Sequence, residues 1–280
     1  MKSILSEFGI QEIGLVPLNS CKVIKEYLLE KNGLTKDCLC VTMLIPYRSE
    51  VRVENLSVYA SVKDYHLFVK ELSQRLESYM LSKFPNNKFK VFSDHSPIDE
   101  VHACCISGLG FIGDNGLIIN EKYSSYVFLA EAITDLTKEE LELEITLTDG
   151  VAECLHCGKC AKACPSGCIP TLEEGDDINP KALCLSAITQ QKGELKENEK
   201  KLMLENNTVW GCDICQSVCP FAKKAENTPI EFFRKNIITR LDKATLDKMS
   251  DEEFNSRPFA WRGRGVIERN VMLFEEGEND

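Results

Sequence analysis

Residues 154–165 read CLHCGKCAKACP, and residues 211–220 read GCDICQSVCP. The first stretch has the spacing C-x2-C-x2-C-x3-C-P, in which three thiolates surround one 4Fe-4S cluster and the fourth ligates a second cluster. The second stretch, together with Cys184 ahead of it, supplies four further cysteines and repeats the C-P ending. The two stretches therefore predict a module that holds two 4Fe-4S clusters and conducts electrons.

The rule for bacterial ferredoxins assigns these eight cysteines to two ligand sets. One set comprises Cys154, Cys157, Cys160 and Cys219, and the other comprises Cys164, Cys184, Cys212 and Cys215. Structural zinc is the competing interpretation of the C-x2-C pairs, but two C-P endings and a tight run of four cysteines favour iron and sulfur. Cys168, four residues after Cys164, is either a surrogate ligand or, as we prefer, a packed thiol.

The composition is that of an ordinary folded protein. The hydrophobic fraction is 43% and the charged fraction is 28%, which are usual values for globular domains. The start, MKSILSEFGIQEIG, lacks the basic and apolar character of a signal peptide, and no stretch approaches the roughly 18 apolar residues that span a bilayer. We therefore expect a cytoplasmic protein without a membrane span, in which cysteines stay reduced and serve as metal ligands or buried thiols.

The net charge of −11 argues against a surface that is basic throughout, because proteins that coat nucleic acids neutralise phosphates with Lys and Arg. A local basic strip remains near the end, where arginines are interleaved with Phe259 and Trp261. This strip is either a solvated loop with salt bridges or a surface that contacts RNA, and the sequence leaves both open. Its arginines are Arg257, Arg262, Arg264 and Arg269.

Strands and helices mix along the chain without a strict βαβ rhythm, which favours an α+β sheet domain over a doubly wound one. The acidic, turn-rich stretch near 136–152 is the best boundary between this domain and the cysteine module. We therefore expect an α+β domain over 1–145, a ferredoxin-like double-cluster domain over 146–230, and a helical extension with an acidic tail over 231–280.

Within the first domain, apolar periodicity predicts one long helix between about 55 and 83. The segment FKVFSD alternates like a strand and delivers Asp94 to its exit. The runs LGFIGDNGLIIN and YVFLAEAIT, joined at Glu121–Ser125, are expected to form a hairpin. The remaining cysteines lie on apolar segments without ligand spacing and are expected to be buried thiols; they are Cys21, Cys38, Cys40, Cys104 and Cys105.

Several segments together resemble the epoxyqueuosine reductases, the corrinoid and iron-sulfur enzymes of queuosine biosynthesis. The segments are YASVKDYH over Tyr59–His66, D-x2-P-x2-E at Asp94, Pro97 and Glu100, and GLGFIGDN over Gly108–Asn115, followed by the eight cysteines. The cysteine pattern alone is shared with many double-cluster ferredoxins, so the upstream motifs carry the resemblance. It covers nearly the whole chain and indicates a short form without the C-terminal helical repeats of longer members.

The resemblance implies a cobalamin-binding domain of nitroreductase-like architecture. In this family, electrons pass through two 4Fe-4S clusters to cobalamin and reduce an epoxide on a modified nucleoside in the anticodon loop of tRNA. An aspartate that gives a proton to the epoxide oxygen matches Asp94, whose pKa would have to be raised by burial. Cys164, Cys184, Cys212 and Cys215 would then ligate the cluster nearer the cobalt.

The same motif match implies that the backbone around Ile118 and Leu129 lines the corrin, with Asp213 near it. For Asp94, the alternative without the family is a helix cap, because the residue precedes a helix that follows a proline. Val101 and Asp114 depart from the family pattern, which has Arg and Lys at these places. Both differences remove positive charge from a region expected to face tRNA or the corrin.

The sequence therefore predicts an enzyme that converts epoxyqueuosine to queuosine in tRNA, using cobalamin, two 4Fe-4S clusters and an external low-potential electron donor. The alternative is a double-cluster electron-transfer protein, or a corrinoid reductase, that serves a separate enzyme. A stoichiometric complex with cobalamin would count against this alternative.

Overall fold

The computed structural model describes residues 1–148, 153–170 and 184–277. The strands among them are β1 (Ile13–Pro17), β2 (Leu39–Pro46), β3 (Phe89–Phe92), β4 (Phe111–Ile112), β5 (Ile118–Ile119) and β6 (Val127–Thr134). The α-helices are α1 (Lys2–Glu7), α2 (Glu26–Lys31), α3 (Val58–Ser61), α4 (Tyr65–Lys83), α5 (Glu100–Ile106), α6 (Lys138–Leu141), α7 (Lys159–Ala163), α8 (Leu185–Thr189), α9 (Glu197–Glu205), α10 (Ile214–Ser217), α11 (Lys243–Lys248), α12 (Asp251–Asn255) and α13 (Arg264–Gly277). Short 3-10 helices span Leu18–Ser20, Pro220–Lys224, Glu231–Arg234 and Pro258–Arg262. Glu278 and Asp280 of the predicted acidic tail lie outside the described residues.

Two compact units divide the chain, and each combines three separate ranges. The sheet unit comprises Met1–Pro46, Tyr65–Leu155 and Lys224–Glu231. The cysteine unit comprises Tyr47–Asp64, His156–Lys223 and Phe232–Asp280. The division into domains at 145 and 230 stays a prediction, because compactness in the folded chain and independent folding are different properties.

The sheet unit is built on a four-stranded antiparallel sheet in the order β1-β2-β6-β3. β6 is a central strand, in which Glu131 lies opposite Thr42 on one side and Phe92 on the other. Its sequence VFLAEAIT is rich in apolar and β-branched residues, which suit a strand that is paired along both edges. The helices and the antiparallel sheet confirm the expected mixture of α and β structure.

The expected hairpin between LGFIGDNGLIIN and YVFLAEAIT is wrong. β4 pairs with β5 in a sheet of its own, whereas β6 joins the four-stranded sheet. The chain reverses inside the first run, where Gly116 has φ 75° and its N–H donates to the carbonyl of Gly113 at 2.8 Å. Alternation identifies a strand but not the partner with which it pairs.

The predicted helix between 55 and 83 begins later, at Tyr65, and its expected apolar face is buried at Phe68, Leu72 and Leu76. The preceding residues belong to the cysteine unit, where Leu56 forms a bridge with Trp210. Periodicity reveals that a segment has an apolar face but not which core covers that face.

Replacing Leu72 by Ala is expected to lower the free energy of unfolding by about 2–5 kcal/mol, because this fully buried side chain would leave a cavity. Leu67 on the same helix is 44% exposed, so Leu67→Ala is a matched control that should cost less than about 1 kcal/mol. Urea unfolding followed by circular dichroism measures both. Equal losses in the two variants would contradict the assigned buried face of α4.

The cysteine unit takes part of its core from residues 47–64. The side-chain amide of Asn55 donates to the carbonyl of Leu241 at 2.8 Å and accepts from the N–H of the same residue at 2.9 Å. The indole N–H of the fully buried Trp210 donates to the hydroxyl of Tyr59 at 3.1 Å. Residues far apart in the sequence therefore complete one core, which the sequence had not indicated.

Candidate active site

A cavity of about 380 Å³ lies in the sheet unit, beside the exit of β3 and the start of α5. Its polar lining includes Tyr65, Asp94 and Glu100, and its apolar lining includes Phe128 and Leu129 of β6. An apolar cavity of this size with a few convergent polar groups is typical of a small-ligand site. Asp94, which the family resemblance predicts as the catalytic acid, thus lies on the lining of a cavity.

Asp94 has a left-handed backbone conformation, with φ 58°. For a residue other than glycine this conformation costs roughly 1 kcal/mol or more, so surrounding contacts must maintain it. The N–H of Asp94 donates to Oε1 of Glu100 at 3.1 Å, and its Oδ2 lies 3.2 Å from Nε2 of His66. Contacts to both the backbone and the side chain therefore fix the direction of the carboxylate.

The helix cap proposed as an alternative for Asp94 is taken by another aspartate. The carboxylate of Asp99 accepts from the N–H of His102 at 3.1 Å and caps α5. Asp99 stands directly before the helix, where a capping residue belongs. The interpretation of Asp94 as a cap is therefore wrong, and its carboxylate is engaged with His66 instead.

The pKa of Asp94 is lowered, chiefly by the hydrogen bond with His66; burial opposes this effect, and the hydroxyl of Tyr65 adds to it. The expected rise in this pKa through burial is therefore wrong, and the side chain is 64% exposed. Asp94 is held as an anion near neutral pH. The group that can donate a proton at this position is therefore the protonated imidazole of His66, not the carboxylate of Asp94.

Tyr65 and His66, consecutive residues at the start of α4, provide the two side-chain donors to Asp94. The ring of Tyr65 stacks on Phe128 with centroids 4.1 Å apart and an angle of 8° between the planes. Burial raises the pKa of Tyr65, and the charge of Asp94 raises it further. The hydroxyl therefore stays protonated and can donate to the carboxylate.

Two further carboxyl groups lie next to this site. Glu131 of β6 is 2% exposed, and its side chain is hydrogen-bonded to that of Glu100. Burial is the main cause that raises the pKa of Glu131 well above its ordinary value and the pKa of Glu100 to about 7. Glu131 is not among the residues predicted from the sequence, although one acidic residue inside the apolar run YVFLAEAIT is a signal, since a charge in a central strand is costly.

In the cysteine unit, three cysteines predicted to form one ligand set lie near one another. Burial raises the pKa of Cys212 to about 11, and the neighbouring charges that contribute include those of Cys184 and Cys164. Cys168 lies close to these three cysteines. Its Sγ lies 3.4 Å from Sγ of Cys164, and it is hydrogen-bonded to Cys184. Cys168 is half-buried rather than packed in an apolar core.

The remaining predicted ligands are distributed over short helices and loops. Cys160 lies on α7 and Cys215 on α10, and these two helices lie side by side. Cys157 is exposed, Cys219 is half-buried, and Cys154 falls in the range of the sheet unit. All fourteen cysteines are free thiols, as ligands of an iron-sulfur cluster must be before the cluster is inserted.

The cysteines outside the ligand sets were expected to be buried. Cys21, Cys38, Cys40 and Cys104 are buried as expected, and Cys105 is half-buried.

Of the residues expected to line a corrin, Ile118 and Leu129 share one apolar cluster, but only Leu129 of the two lines the cavity. Leu129 lines the same cavity as Asp94. Ile118 is 4% exposed and packs in an apolar cluster with Leu44 and Tyr123. Of the four expected residues, the structure therefore brings only Asp94 and Leu129 to this cavity.

Asp213, the fourth of these residues, lies in the cysteine unit and is occupied by internal hydrogen bonds. Its carboxylate accepts from the N–H of Val58 at 2.5 Å and from the side-chain amide of Gln216 at 2.9 Å. Burial raises its pKa to about 6, although both hydrogen bonds act in the opposite direction. Asp213 thus ties α3 to the segment that carries Cys212 and Cys215.

The arginines of the basic strip are largely used inside the cysteine unit. Arg257 is 2% exposed, donates to the carbonyl of Asn236 at 2.7 Å and pairs with Glu253 at 3.1 Å. Arg264 and Arg269 also donate to backbone carbonyls. The strip is therefore not a solvated loop, because Pro258–Arg262 is a 3-10 helix and Arg264 and Arg269 lie on α13. The expected salt bridges are present at Arg257 and Arg264. Arg262 differs, because it lies 3.7 Å from the centroid of the exposed Trp261 ring.

The sequence of the chain is similar to a known domain family and to several known proteins. Residues 153–222 match the model of a 4Fe-4S double cluster binding domain. An epoxyqueuosine reductase of Listeria monocytogenes is 28% identical over an alignment that covers 95% of this chain and 77% of the relative. One of Bacillus subtilis is 29% identical over 90% of this chain and 65% of the relative. The chain is a homologue of the epoxyqueuosine reductases.

Solved structures of epoxyqueuosine reductases have the same fold. The structure from Streptococcus thermophilus superposes with a TM-score of 0.74 at 23% identity, over 100% of this chain and 80% of that one. A crystal structure of an epoxyqueuosine reductase with an epoxyqueuosine-modified tRNA-Tyr stem loop gives 0.73 at 24% identity, over 98% of this chain and 80% of that one.

The share of each epoxyqueuosine reductase that this chain matches varies. It spans 77% of the relative from Listeria monocytogenes, but only 54% of those from Bacillus anthracis and Pseudomonas aeruginosa. Across the part of the chain that the structure describes, no helix combines the length and apolarity needed to cross a membrane.

Proposed function

We propose that this chain reduces epoxyqueuosine in tRNA to queuosine, with cobalamin and two 4Fe-4S clusters as its cofactors. The observation that carries the proposal is the pair of His66 and Asp94 on the lining of an apolar cavity, in a chain homologous to the epoxyqueuosine reductases. Conversion of an epoxide to an alkene requires two electrons at carbon and two protons at oxygen, which leaves as water. The His66–Asp94 pair is suited to the second requirement.

The proton would pass from His66 through Asp94 to the epoxide oxygen. Asp94 alone is a weak proton reservoir because its pKa lies below the ordinary value. The imidazole of His66, 3.2 Å from Oδ2, can supply a proton to Asp94 and take up another from solvent, to which its side chain is exposed. Tyr65 keeps its own proton and orients the carboxylate.

The electrons would enter through the cysteine unit, from an external low-potential donor. We propose that Cys154, Cys157, Cys160 and Cys219 hold one cluster and that Cys164, Cys184, Cys212 and Cys215 hold the other. The grouping of Cys164, Cys184 and Cys212 supports the second set, since soft thiolates gathered at one place suit iron and sulfur. Cobalamin, when bound, supplies a strongly reducing metal centre for the epoxide carbon.

The lining of the cavity is compatible with a corrin in a nitroreductase-like sheet domain. Val127, Phe128 and Leu129 present apolar surface suited to the face of a flat macrocycle, and Asp94 provides a polar group beside it. We propose that Leu129 and Asp94 contact the cofactor, with the backbone near Ile118 and the carboxylate of Asp213 as further contacts from the motif match. Asp213 would first have to give up hydrogen bonds to Val58 and Gln216.

The proposed substrate is the anticodon loop of tRNA in the cytoplasm. The net charge of −11 means that tRNA must be held by local contacts rather than by a basic surface. Arg262 and Trp261 are the part of the basic strip best suited to such a contact, because an exposed aromatic ring can stack on an unpaired base. Val101 and Asp114, where the family pattern has cations, would weaken this grip.

The test is to reconstitute the whole chain anaerobically with iron, sulfide and cobalamin, and to add tRNA that carries epoxyqueuosine with a chemical reductant. We expect conversion to queuosine, about eight irons per chain, and a stoichiometric corrinoid complex. Full clusters with bound corrinoid but no conversion would remove the tRNA assignment. Full clusters without tightly bound cobalamin would favour an electron-transfer protein that serves a separate enzyme.

A further inference from the structure

Within the described ranges, the buried carboxyl group of Glu131 has no counter-charge. Among the described residues, no lysine, arginine or histidine forms an ion pair with it, and its Oε1 is buried without a hydrogen-bond partner. The side chain of Ser96, in the loop that carries Asp94, hydrogen-bonds Glu131 and lowers its pKa, but burial raises this pKa by more. An ionised carboxylate in such a position would be an unpaired charge beside a second carboxyl group, which is strongly unfavourable. An oxygen that carries a proton needs no donor, so these surroundings fit a neutral carboxylic acid.

The acceptor for the proton of Glu131 is Glu100, the first residue of α5. Oε1 of Glu100 in turn accepts the N–H of Asp94 at 3.1 Å. A chain of hydrogen bonds thus runs from the central strand β6 through Glu100 to the backbone of Asp94. This backbone N–H belongs to the residue whose left-handed conformation has to be held by its surroundings.

We propose that Glu131 is a positioning residue: as a neutral acid it donates its proton to Glu100, and Glu100 holds the N–H of Asp94, near the start of the loop of residues 93–99, so that Asp94 faces the cavity. The far end of this loop is held separately, because Ile24 and Lys25 donate to the carbonyl of Pro97 and Asp99 donates to that of Lys22. The catalytic consequence rests on the proposed function. The position of the loop can be measured without substrate, cofactor or clusters.

Other titratable groups around the pair do not supply a competing partner. The charge of Lys25 lowers the pKa of both Glu100 and Asp94. Its effect is smaller than that of burial on Glu100 and smaller than that of the hydrogen bond with His66 on Asp94. The thiols Cys21, Cys40 and Cys104 face Glu131 and are buried. Tyr65 faces Glu100 from α4 and remains protonated.

The pair gives the loop a pH dependence with a defined sign. Burial raises the pKa of Glu100 to about 7 from an ordinary value of 4.5, although the N–H of Asp94 acts in the opposite direction. The loop position of this structure (the closed loop) therefore binds a proton more tightly than a position in which Glu100 is hydrated (the open loop). The closed state is therefore favoured below neutral pH and is weakened as pH rises through about 7. The proton of Glu131 limits this weakening, because it stabilises the ionised form of Glu100.

The experiment is hydrogen-deuterium exchange of the full chain, read by mass spectrometry on peptides that cover 93–99, at about pH 6 and about pH 8 after correction for intrinsic rates. In the wild type, protection should fall by up to about ten-fold between the two values. Glu131→Met, which keeps the length but removes the donor, should accelerate exchange by about ten-fold or more at about pH 8 and only slightly at about pH 6.

Glu131→Gln is the matched variant, because its amide can still donate to Glu100; protection at about pH 8 should stay close to that of the wild type. Glu100→Gln should abolish the pH dependence. The proposal is overturned if Glu131→Gln loses protection as fully as Glu131→Met, or if the effect of Glu131→Met is equal at both pH values. Circular dichroism confirms that each variant is folded.

A second measurement does not depend on the loop. The infrared band of a protonated carboxyl group should persist at about pH 8 in the wild type and in Glu100→Gln, and disappear in Glu131→Gln. The absence of this band from the wild type would mean that Glu131 is ionised and would overturn its role as a donor. Both measurements can succeed even if the chain fails to act on tRNA, so the two proposals are tested separately.

Discussion

Asp94→Asn is expected to lower the rate of epoxyqueuosine reduction by about 10²–10⁴-fold, the usual loss when a positioned acid is removed. Asparagine tolerates the left-handed conformation and keeps the N–H that donates to Glu100. It cannot pass on a proton received from His66, so the loss reports proton transfer rather than loop geometry. Single-turnover conversion of epoxyqueuosine-containing tRNA measures the rate, and iron and cobalamin contents should be unchanged.

The matched control is Asp99→Asn, on the same loop. Asp99 also lines the cavity, but its carboxylate caps α5, and asparagine caps a helix about as well as aspartate does. This variant should keep most of the wild-type rate. Equal losses in Asp94→Asn and Asp99→Asn would indicate that negative charge in the cavity matters in general and would contradict a specific proton transfer through Asp94.

Cys212→Ser is expected to remove one cluster, which lowers the iron content from about eight to about four per chain and abolishes reduction. A serine hydroxyl is a hard, weakly acidic ligand and does not replace a soft thiolate. Iron and sulfide analysis of the anaerobically reconstituted protein measures the loss, and EPR of the reduced protein identifies the cluster that remains.

Cys168→Ser is the matched control for the cluster prediction, because Cys168 is the neighbouring cysteine outside the predicted ligand sets. It lies 3.4 Å from Sγ of Cys164 and should leave the iron content at about eight per chain. Iron loss in Cys168→Ser as large as in Cys212→Ser would make Cys168 a ligand. Full iron in Cys212→Ser would contradict the assignment of Cys212 as a ligand that the cluster requires.

The parts of the site that could be predicted from the sequence are those encoded by local patterns. The strand FKVFSD was placed correctly, and so was the position of Asp94 at its exit, because alternation and a stop by Pro85-Asn86 are local features. The cysteine spacing identified the iron-sulfur module that the match over residues 153–222 confirms.

The parts that could not be predicted depend on contacts between distant residues. The pKa of Asp94 is lowered chiefly by His66, which lies on a different element earlier in the chain, whereas burial alone would raise this pKa. The pairing of β6 with β2 and β3 was missed for the same reason, since each strand pattern fits several partners. Glu131 could not be predicted as part of the site, because the apolar run around it indicates a packed strand and does not reveal which carboxyl group its one acidic residue contacts.

The contribution of residues 47–64 to the cysteine unit limits how the module can be transplanted. A gene segment that encodes the cysteine motifs alone would lack Asn55, whose side chain satisfies both backbone groups of Leu241, and Tyr59, the partner of Trp210. Buried polar groups left without these partners would each cost about 1–3 kcal/mol. A transplanted double-cluster module would therefore lose stability unless residues 47–64 were moved with it, and recombination during evolution is expected to preserve both segments together.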